Sequence, residues 1–128
     1  MTTIVVTAAV IERDDRLLVT RRPQGTHLEG YWEFPGGKCD PGETHEACLA
    51  RELREELGAS ATVGLEILCV THAYPDRTVE LHFFRCRLTS EAVPQMGQEM
   101  QWVAREQLGS LTLPPGDKEL VDLLTGRA

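Results

Sequence analysis

Three glutamates, Glu52, Glu55 and Glu56, lie close together in a segment rich in good helix formers. Glu52 precedes the other two by three and four residues, and on an α-helix these spacings bring side chains to one face. Like charges so placed repel by about 0.2–0.5 kcal/mol per pair on a solvated helix, so the arrangement costs stability unless a cation binds. Carboxylate oxygens suit Mg²⁺ or Mn²⁺. The spacing therefore predicts a divalent-metal site, with Arg51 as a partial internal counter-charge.

A charged run of this kind is more often a solvated helix face, so the residues around it decide its meaning. Seven positions match a longer pattern, namely Gly37, Glu43, Arg51, Glu52, Glu55, Glu56 and Gly58. Seven independent matches at the average frequency of a common residue would occur by chance on the order of 10⁻⁸ times per starting point. The segment 37–59 resembles the complete Nudix box, with its weakest match at Ala59, where a larger aliphatic residue is more usual.

The resemblance to the Nudix hydrolase family implies metal-dependent cleavage of a diphosphate linkage. It implies that Glu55 and Glu56 bind Mg²⁺, or Mn²⁺ in its place, and that Gly36 supplies a backbone carbonyl ligand. Glu52 is the implied general base and a further metal ligand. The chemistry is coherent, because a diphosphate is anionic and metal ions must neutralise it before water attacks.

Three more residues complete the predicted catalytic and metal-binding set. The resemblance implies that Glu43 anchors the start of the helix and that Arg51 orients a carboxylate through charge-assisted hydrogen bonds. Many Nudix members bring an additional glutamate to the metals from a loop ahead of the last strand. Met96 stands at the MutT-like position, and Glu99 lies nearby, so Glu99 is predicted to be this ligand.

The similarity extends beyond the box and is greatest to MutT-like members, which hydrolyse 8-oxo-dGTP to monophosphate and pyrophosphate and so cleanse the nucleotide pool. By this resemblance the residues that bind the substrate are Arg22, His27, Phe34, Arg77 and Asp117. Each of these residues also has a purely structural interpretation. Charged residues at strand ends, such as Arg22, are often only exposed to solvent. Aromatic side chains beside a core are likewise more often core than base pocket.

Asp117 leaves the base specificity open. MutT-like enzymes usually carry Asn in the loop before the last helix, where an amide can both donate to and accept from oxidised guanine. An ionised aspartate only accepts, which suits an exocyclic amine such as that of cytosine, unless burial keeps the carboxyl protonated. A related subgroup, the CTP and modified-dCTP pyrophosphohydrolases, also carries Asp near this place. 8-oxo-dGTP is the predicted substrate and a cytosine nucleotide the alternative.

Composition limits the partners of the chain. A formal charge of −7 argues against binding to a nucleic-acid polymer and indicates that a phosphate substrate needs cations. Four cysteines without CxxC spacing disfavour a disulfide or a zinc site. The sequence shows neither a secretory signal nor an apolar run of membrane-spanning length, so we predict a reduced, cytoplasmic protein. We expect a monomer or homodimer acting on a small nucleotide. The intact box disfavours a non-catalytic nucleotide sensor.

Hydrophobic periodicity predicts the elements that position these residues. Apolar runs at 4–11 and 17–19 predict a hairpin, and a long functional loop follows over 23–42. A helix is predicted over 43–57, ended by Gly58. Its predicted core-facing residues are Ala50, Leu53 and Leu57.

The second half of the chain predicts another hairpin from the β-rich runs 61–71 and 78–88, then a short strand at 101–104 and a helix within 114–124. The predicted buried residues of this last helix are Leu120, Val121, Leu123 and Leu124. No internal repeat or domain boundary interrupts the order. It predicts one domain over 1–128 with an α/β fold, and the resemblance implies the Nudix fold, an α/β/α sandwich with a mixed β-sheet.

Overall fold

The computed structural model describes residues 2–26 and 28–126. The strands in this part of the chain are β1 (Thr2–Arg13), β2 (Arg16–Arg21), β3 (Trp32–Glu33), β4 (Gly36–Lys38), β5 (Ala61–Ala73), β6 (Arg77–Leu88) and β7 (Glu99–Ala104). The helices are α1 (His45–Leu57) and α2 (Lys118–Thr125), and 3₁₀ turns cover Arg105–Ser110 and Pro115–Asp117. Both predicted hairpins and both predicted helices are therefore confirmed.

The strands form a mixed sheet along the path β3-β2-β1-β6-β5, with β4 paired to β1 and β7 paired to β2. β1 runs parallel to β6, from Thr2 opposite Arg77 to Ile11 opposite Cys86. The other described pairings are antiparallel. The predicted mixed sheet is confirmed, and β1 lies at its centre.

Alternate side chains of β1 face two cores on opposite sides of the sheet. Ala8 and Val10 belong to a buried cluster that includes Leu120 of α2. Ala9 and Ile11 belong to a second cluster, with the buried leucines of α1. One helix thus packs on each face, which confirms the α/β/α sandwich.

Helix α1 begins two residues later than predicted because Thr44 caps it. The Thr44 hydroxyl accepts a hydrogen bond from the Ala47 amide at 3.1 Å, and such caps satisfy amides that lack helical partners. Gly58, with φ of 58°, ends the helix in the left-handed conformation. The buried residues are Cys48, Leu49, Leu53 and Leu57. Ala50 was predicted to face the core and is only half-buried, because the apolar stripe runs through Leu49 instead.

The C-terminal helix also differs in detail from its prediction. Residues 115–117 form a 3₁₀ turn before α2 begins at Lys118. The predicted burial of Leu123 is wrong: it is 44% exposed, because the inner face of α2 is formed by Leu120, Val121 and Leu124. Neither α-helix of the described chain is long and apolar enough to cross a lipid bilayer.

The loop predicted over 23–42 contains two short strands that sequence periodicity did not indicate. In β3, Glu33 pairs with Thr20 of β2. In β4, Gly36 and Gly37 pair with Ala8 and Thr7 of β1. Strands of two or three residues are set by their neighbours rather than by their own propensity. Pairing of β4 fixes the start of the box against the centre of the sheet.

Candidate active site

A cavity of about 460 Å³ opens on the sheet face that carries the α2-side core. Apolar side chains of β1 and β6, including Val6, Ala8 and Leu81, line part of it. Its charged lining residues are Arg22, Glu33, Lys38, Glu52, Glu56, Arg77 and Asp117. A concave, partly apolar site with a few converging charges is the usual form of a small-molecule site.

Arg51 connects the carboxylates of the box. Its guanidinium donates two hydrogen bonds to Glu43, at 2.7 and 2.9 Å, and one each to Glu52 and Glu55 at 3.1 Å. Hydrogen bonds from Arg51 and from the Asp40 amide lower the pKa of Glu43 to about 2. Glu43 therefore stays ionised and fixes the guanidinium, which in turn orients Glu52. This is the geometry that the predicted roles of Glu43 and Arg51 require.

Glu52 lies against the backbone of β4. A Cβ atom on Gly37 would fall 2.3 Å from Glu52 Cδ and 2.4 Å from Oε2, so the carboxylate occupies the space that any larger residue would fill. Burial is the main cause of a raised pKa at Glu52, opposed by its hydrogen bond with Arg51. A half-buried carboxylate at the wall of the cavity suits a general base.

Glu56 lies beside Glu52 at the cavity and accepts a hydrogen bond from the Gly36 amide at 3.1 Å. Burial, with Glu33 as the next contribution, raises the pKa of Glu56 to about 8. Clustered carboxylates of this kind repel each other until a cation neutralises them. Their hard oxygen donors fit a divalent cation such as Mg²⁺.

Two of the predicted metal ligands do not line this cavity. The Glu55 side chain is 57% exposed and pairs with Arg51, away from the cavity lining. Glu99 is 60% exposed and pairs with Arg21 at 3.3 Å, beside a second cavity of about 510 Å³. The structure thus brings Gly36, Glu52 and Glu56 together, whereas the metal-ligand roles of Glu55 and Glu99 stay predictions.

Glu33 is a functional candidate that the sequence analysis did not single out. It lines the cavity and pairs with Arg22 at 3.1 Å. Burial raises the pKa of Glu33, while the positive charge of Arg22 lowers it. The signal in the sequence was the position of Glu33 between two aromatic residues, Trp32 and Phe34, shortly before Gly36 and Gly37. A charged residue in that setting needs a partner or a ligand.

Two arginines supply positive charge to the same cavity. Arg22 and Arg77 both line it. The Nε atom of Arg77 is buried and has no hydrogen-bond partner among the described residues, and its guanidinium lies 5.8 Å from the Tyr74 ring. A buried donor without a partner is costly, so a bound anion would stabilise it. The predicted phosphate contact His27 lies outside the described residues.

Phe34 and Asp117 line the apolar part of the cavity. Phe34 is buried and packs edge to face on Phe83, with ring centroids 6.3 Å apart, so it is both core and cavity wall. Asp117 ends the 3₁₀ turn before α2 and is only 5% exposed. Burial, and then the charge of Glu33, raises the pKa of Asp117 to about 7. Asp117 is therefore able to carry a proton near neutral pH.

The raised pKa of Asp117 predicts a pH-dependent stability. The folded protein binds the Asp117 proton more tightly than the unfolded chain, in which an aspartate has its ordinary pKa of 3.8. This group therefore destabilises the fold progressively between about pH 4 and pH 7. We expect Asp117→Asn to gain about 2–3 kcal/mol relative to the parent between pH 5 and pH 8. Urea unfolding of both proteins in EDTA at the two pH values measures this. A difference that does not change with pH would contradict the assignment.

Comparison with known proteins places this geometry in a family. The NUDIX domain family matches residues 6–123. The CTP pyrophosphohydrolase of Escherichia coli (strain K12) is 36% identical over 123 residues, which cover 95% of this chain and 91% of the relative. The 8-oxo-dGTP diphosphatase of Proteus vulgaris is 40% identical over 75 residues, covering 59% of this chain and 67% of the relative. The solution structure of the E. coli ORF135 protein matches with a TM-score of 0.87 at 35% identity, covering 98% and 91% of the two chains.

The chain belongs to the Nudix family. It is an enzyme, a Nudix hydrolase, and the resemblance predicted from the box and its flanks is confirmed. Such hydrolases generally use divalent metal ions, which agrees with the carboxylate donors at the cavity.

Proposed function

We propose that the enzyme is a Mg²⁺-dependent nucleoside triphosphate pyrophosphohydrolase that releases a nucleoside monophosphate and pyrophosphate. The observation that carries the proposal is that Glu52 and Glu56 line one cavity together with Arg22 and Arg77. The carboxylates can bind a cation and accept a proton from water, and the arginines can donate hydrogen bonds to phosphate oxygens. The names of the E. coli and P. vulgaris relatives support a nucleotide as the substrate.

In this mechanism the residues of the chain position water and phosphate. Glu52, held by Arg51, accepts a proton from the attacking water as its oxygen bonds to the β-phosphorus. The bond between that phosphorus and the α-phosphate oxygen breaks, and the monophosphate leaves. Glu56 and Glu52 would hold the cation beside Gly36, and bound Mg²⁺ supplies charge neutralisation of the phosphates.

The test is release of pyrophosphate from a panel of canonical, oxidised and methylated nucleoside triphosphates with Mg²⁺ or Mn²⁺. EDTA is expected to abolish release, and added Mg²⁺ to restore it. Monophosphate and pyrophosphate are the expected products, and water labelled with ¹⁸O is expected to leave its oxygen in pyrophosphate. No release from any triphosphate would contradict the proposal. Turnover only of a dinucleoside polyphosphate, a nucleotide sugar or a capped RNA end would contradict the substrate class.

For the base, 8-oxo-dGTP is the substrate that we favour. An oxidised guanine needs both a donor and an acceptor, and the raised pKa of buried Asp117, about 7, lets its carboxyl supply both near neutral pH. The second candidate is CTP or a modified dCTP. The full-length similarity to the E. coli CTP pyrophosphohydrolase favours it, as does the acceptor-only character of ionised Asp117.

The titration of Asp117 predicts a base preference that changes with pH. As pH rises through about 7, the side chain loses its donor, so we expect the ratio of kcat/KM for CTP to that for 8-oxo-dGTP to rise about tenfold or more between pH 6 and pH 8.5. Asp117→Asn is expected to make this ratio independent of pH, because an amide does not titrate. The ratio cancels pH effects on the shared chemical step. A pH-dependent ratio that persists in the variant would mean that Asp117 does not contact the base.

A further inference from the structure

A second polar cluster lies on the sheet face opposite the cavity. Side chains alternate along β6, so Leu81 and Phe83 face the cavity while Glu80 and His82 face the α1 side. His82 is only 7% exposed. The donors around it come from β5, β6 and the start of α1, and none of them lines the proposed active site.

Both ring nitrogens of His82 meet carboxylates. Nδ1 lies 2.9 Å from Glu66 Oε1, and Nε2 lies 3.2 Å from Glu80 Oε1. A neutral imidazole has one N–H, so it can donate to only one of these carboxylates, and the other nitrogen turns a lone pair towards an oxygen. Either a second proton or a metal cation must stabilise the arrangement.

A thiol beside the same nitrogen favours a metal. Cys69 is the direct cross-strand partner of His82, and its Sγ lies 4.0 Å from His82 Nε2. The donor atoms of Cys69, Glu80 and His82 all lie within 4.8 Å of one another. Zinc bonds of about 2.0–2.3 Å place tetrahedral ligands about 3–4 Å apart, so small side-chain rotations would complete such a site.

We propose that Cys69, Glu80 and His82 bind one zinc-like transition-metal ion, with its fourth position open to water. Thiolate, imidazole and carboxylate together suit zinc or cobalt rather than magnesium. In this arrangement Glu66 accepts a hydrogen bond from His82 Nδ1–H and fixes the ring. His45 lies beside the same ring, with centroids 4.1 Å apart and the two ring planes tilted by 37°. Binding releases the Cys69 thiol proton to solvent.

The experiment is a titration of the reduced full chain with Co²⁺ in excess Mg²⁺, followed by absorption spectroscopy. We expect one thiolate-to-cobalt charge-transfer band that saturates at one ion per chain, and Zn²⁺ is expected to displace it. Glu52 and Glu56 contribute no sulfur, so cobalt held only by these carboxylates would not produce this band. Zn²⁺ is also expected to raise Tm, because the ion binds only the folded chain. Absence of a stoichiometric band would overturn the proposal.

Four variants assign the ligands. Cys69→Ser is expected to abolish the band, and Glu80→Gln to weaken Co²⁺ binding by tenfold or more. Glu66→Gln is expected to keep the band but weaken binding by about 10–100-fold, as for other residues that orient a ligand. Cys39→Ser is the matched thiol control and is expected to keep both the band and the affinity. A band that survives Cys69→Ser, or that depends on Cys39, would overturn the assignment, and the Tm of each metal-free variant shows whether it is folded.

Discussion

Replacing Glu52 by Gln is expected to lower kcat for pyrophosphate release by at least about a hundredfold, because general-base catalysis contributes roughly 10²–10⁴-fold. Glutamine has nearly the same shape, so it fits beside Gly37, but it cannot accept the proton of the attacking water. The fold is expected to survive, because burial disfavours the charged form of Glu52, as its raised pKa shows, and the variant removes that charge. Single-turnover kinetics with saturating Mg²⁺, together with thermal unfolding, measure both effects.

The matched control is Glu46→Gln, which changes an exposed glutamate in the first turn of the same helix. It is expected to alter Tm slightly, through the helix dipole, and to leave kcat unchanged. Near-normal turnover of a folded Glu52→Gln protein would remove Glu52 from the role of base. A loss recovered by higher Mg²⁺ would instead make Glu52 chiefly a metal ligand.

Adding one methyl group at Gly37 is expected to lower kcat by about a hundredfold as well, by displacing Glu52. The new Cβ would lie 2.3–2.7 Å from the carboxylate atoms, and the end of a flexible side chain can yield where the sheet backbone cannot. A displacement of about 1 Å in a catalytic group can cost on the order of 10²-fold. Gly37→Ala is therefore expected to remain folded while losing turnover, as kinetics and unfolding would show.

A double variant separates this mechanism from a general disturbance. If Gly37→Ala acts only through Glu52, it has little further effect on kcat in the Glu52→Gln protein, since no base remains to displace. Gly42→Ala is the control, for which we expect the opposite pattern of stability and turnover to that of Gly37→Ala. Gly42 has φ of +84° with nothing within 4 Å of its added Cβ, so the change costs stability but not turnover. Additive losses in the double variant would contradict the displacement mechanism.

The box was predictable because its signals are local. Helix spacing, the Gly58 terminus and the Arg51–Glu55 pair involve residues a few positions apart, so α1 follows from the sequence. The roles of Glu43 and of Arg51 towards Glu52 were predicted from the family resemblance instead. The outward direction of Glu55 does not, because it depends on which side of α1 the sheet covers. Helical geometry turns the adjacent residues Glu55 and Glu56 about 100° apart, and the packing of α1 decides that Glu56 is the one at the cavity.

Long-range pairings account for most of what the sequence did not reveal. Nothing local indicates that β1 lies parallel to β6, and that pairing creates the apolar lining of the cavity. Glu33 joins the site through the pairing of β3 with β2. Cys69 and His82 form no recognised spacing, since a β-register that includes irregularities brings them together. Such contacts need the fold before they can be inferred.

The central position of β1 has a consequence for biosynthesis. Because β1 and the box precede β6 in the chain, the nascent protein carries the complete box before β1 finds its parallel partner. Contacts of high sequence separation also slow folding. A chain interrupted before residue 77 could present metal-binding carboxylates without a substrate pocket. The complete pocket therefore requires synthesis of the chain through Asp117, the lining residue that comes last in the sequence.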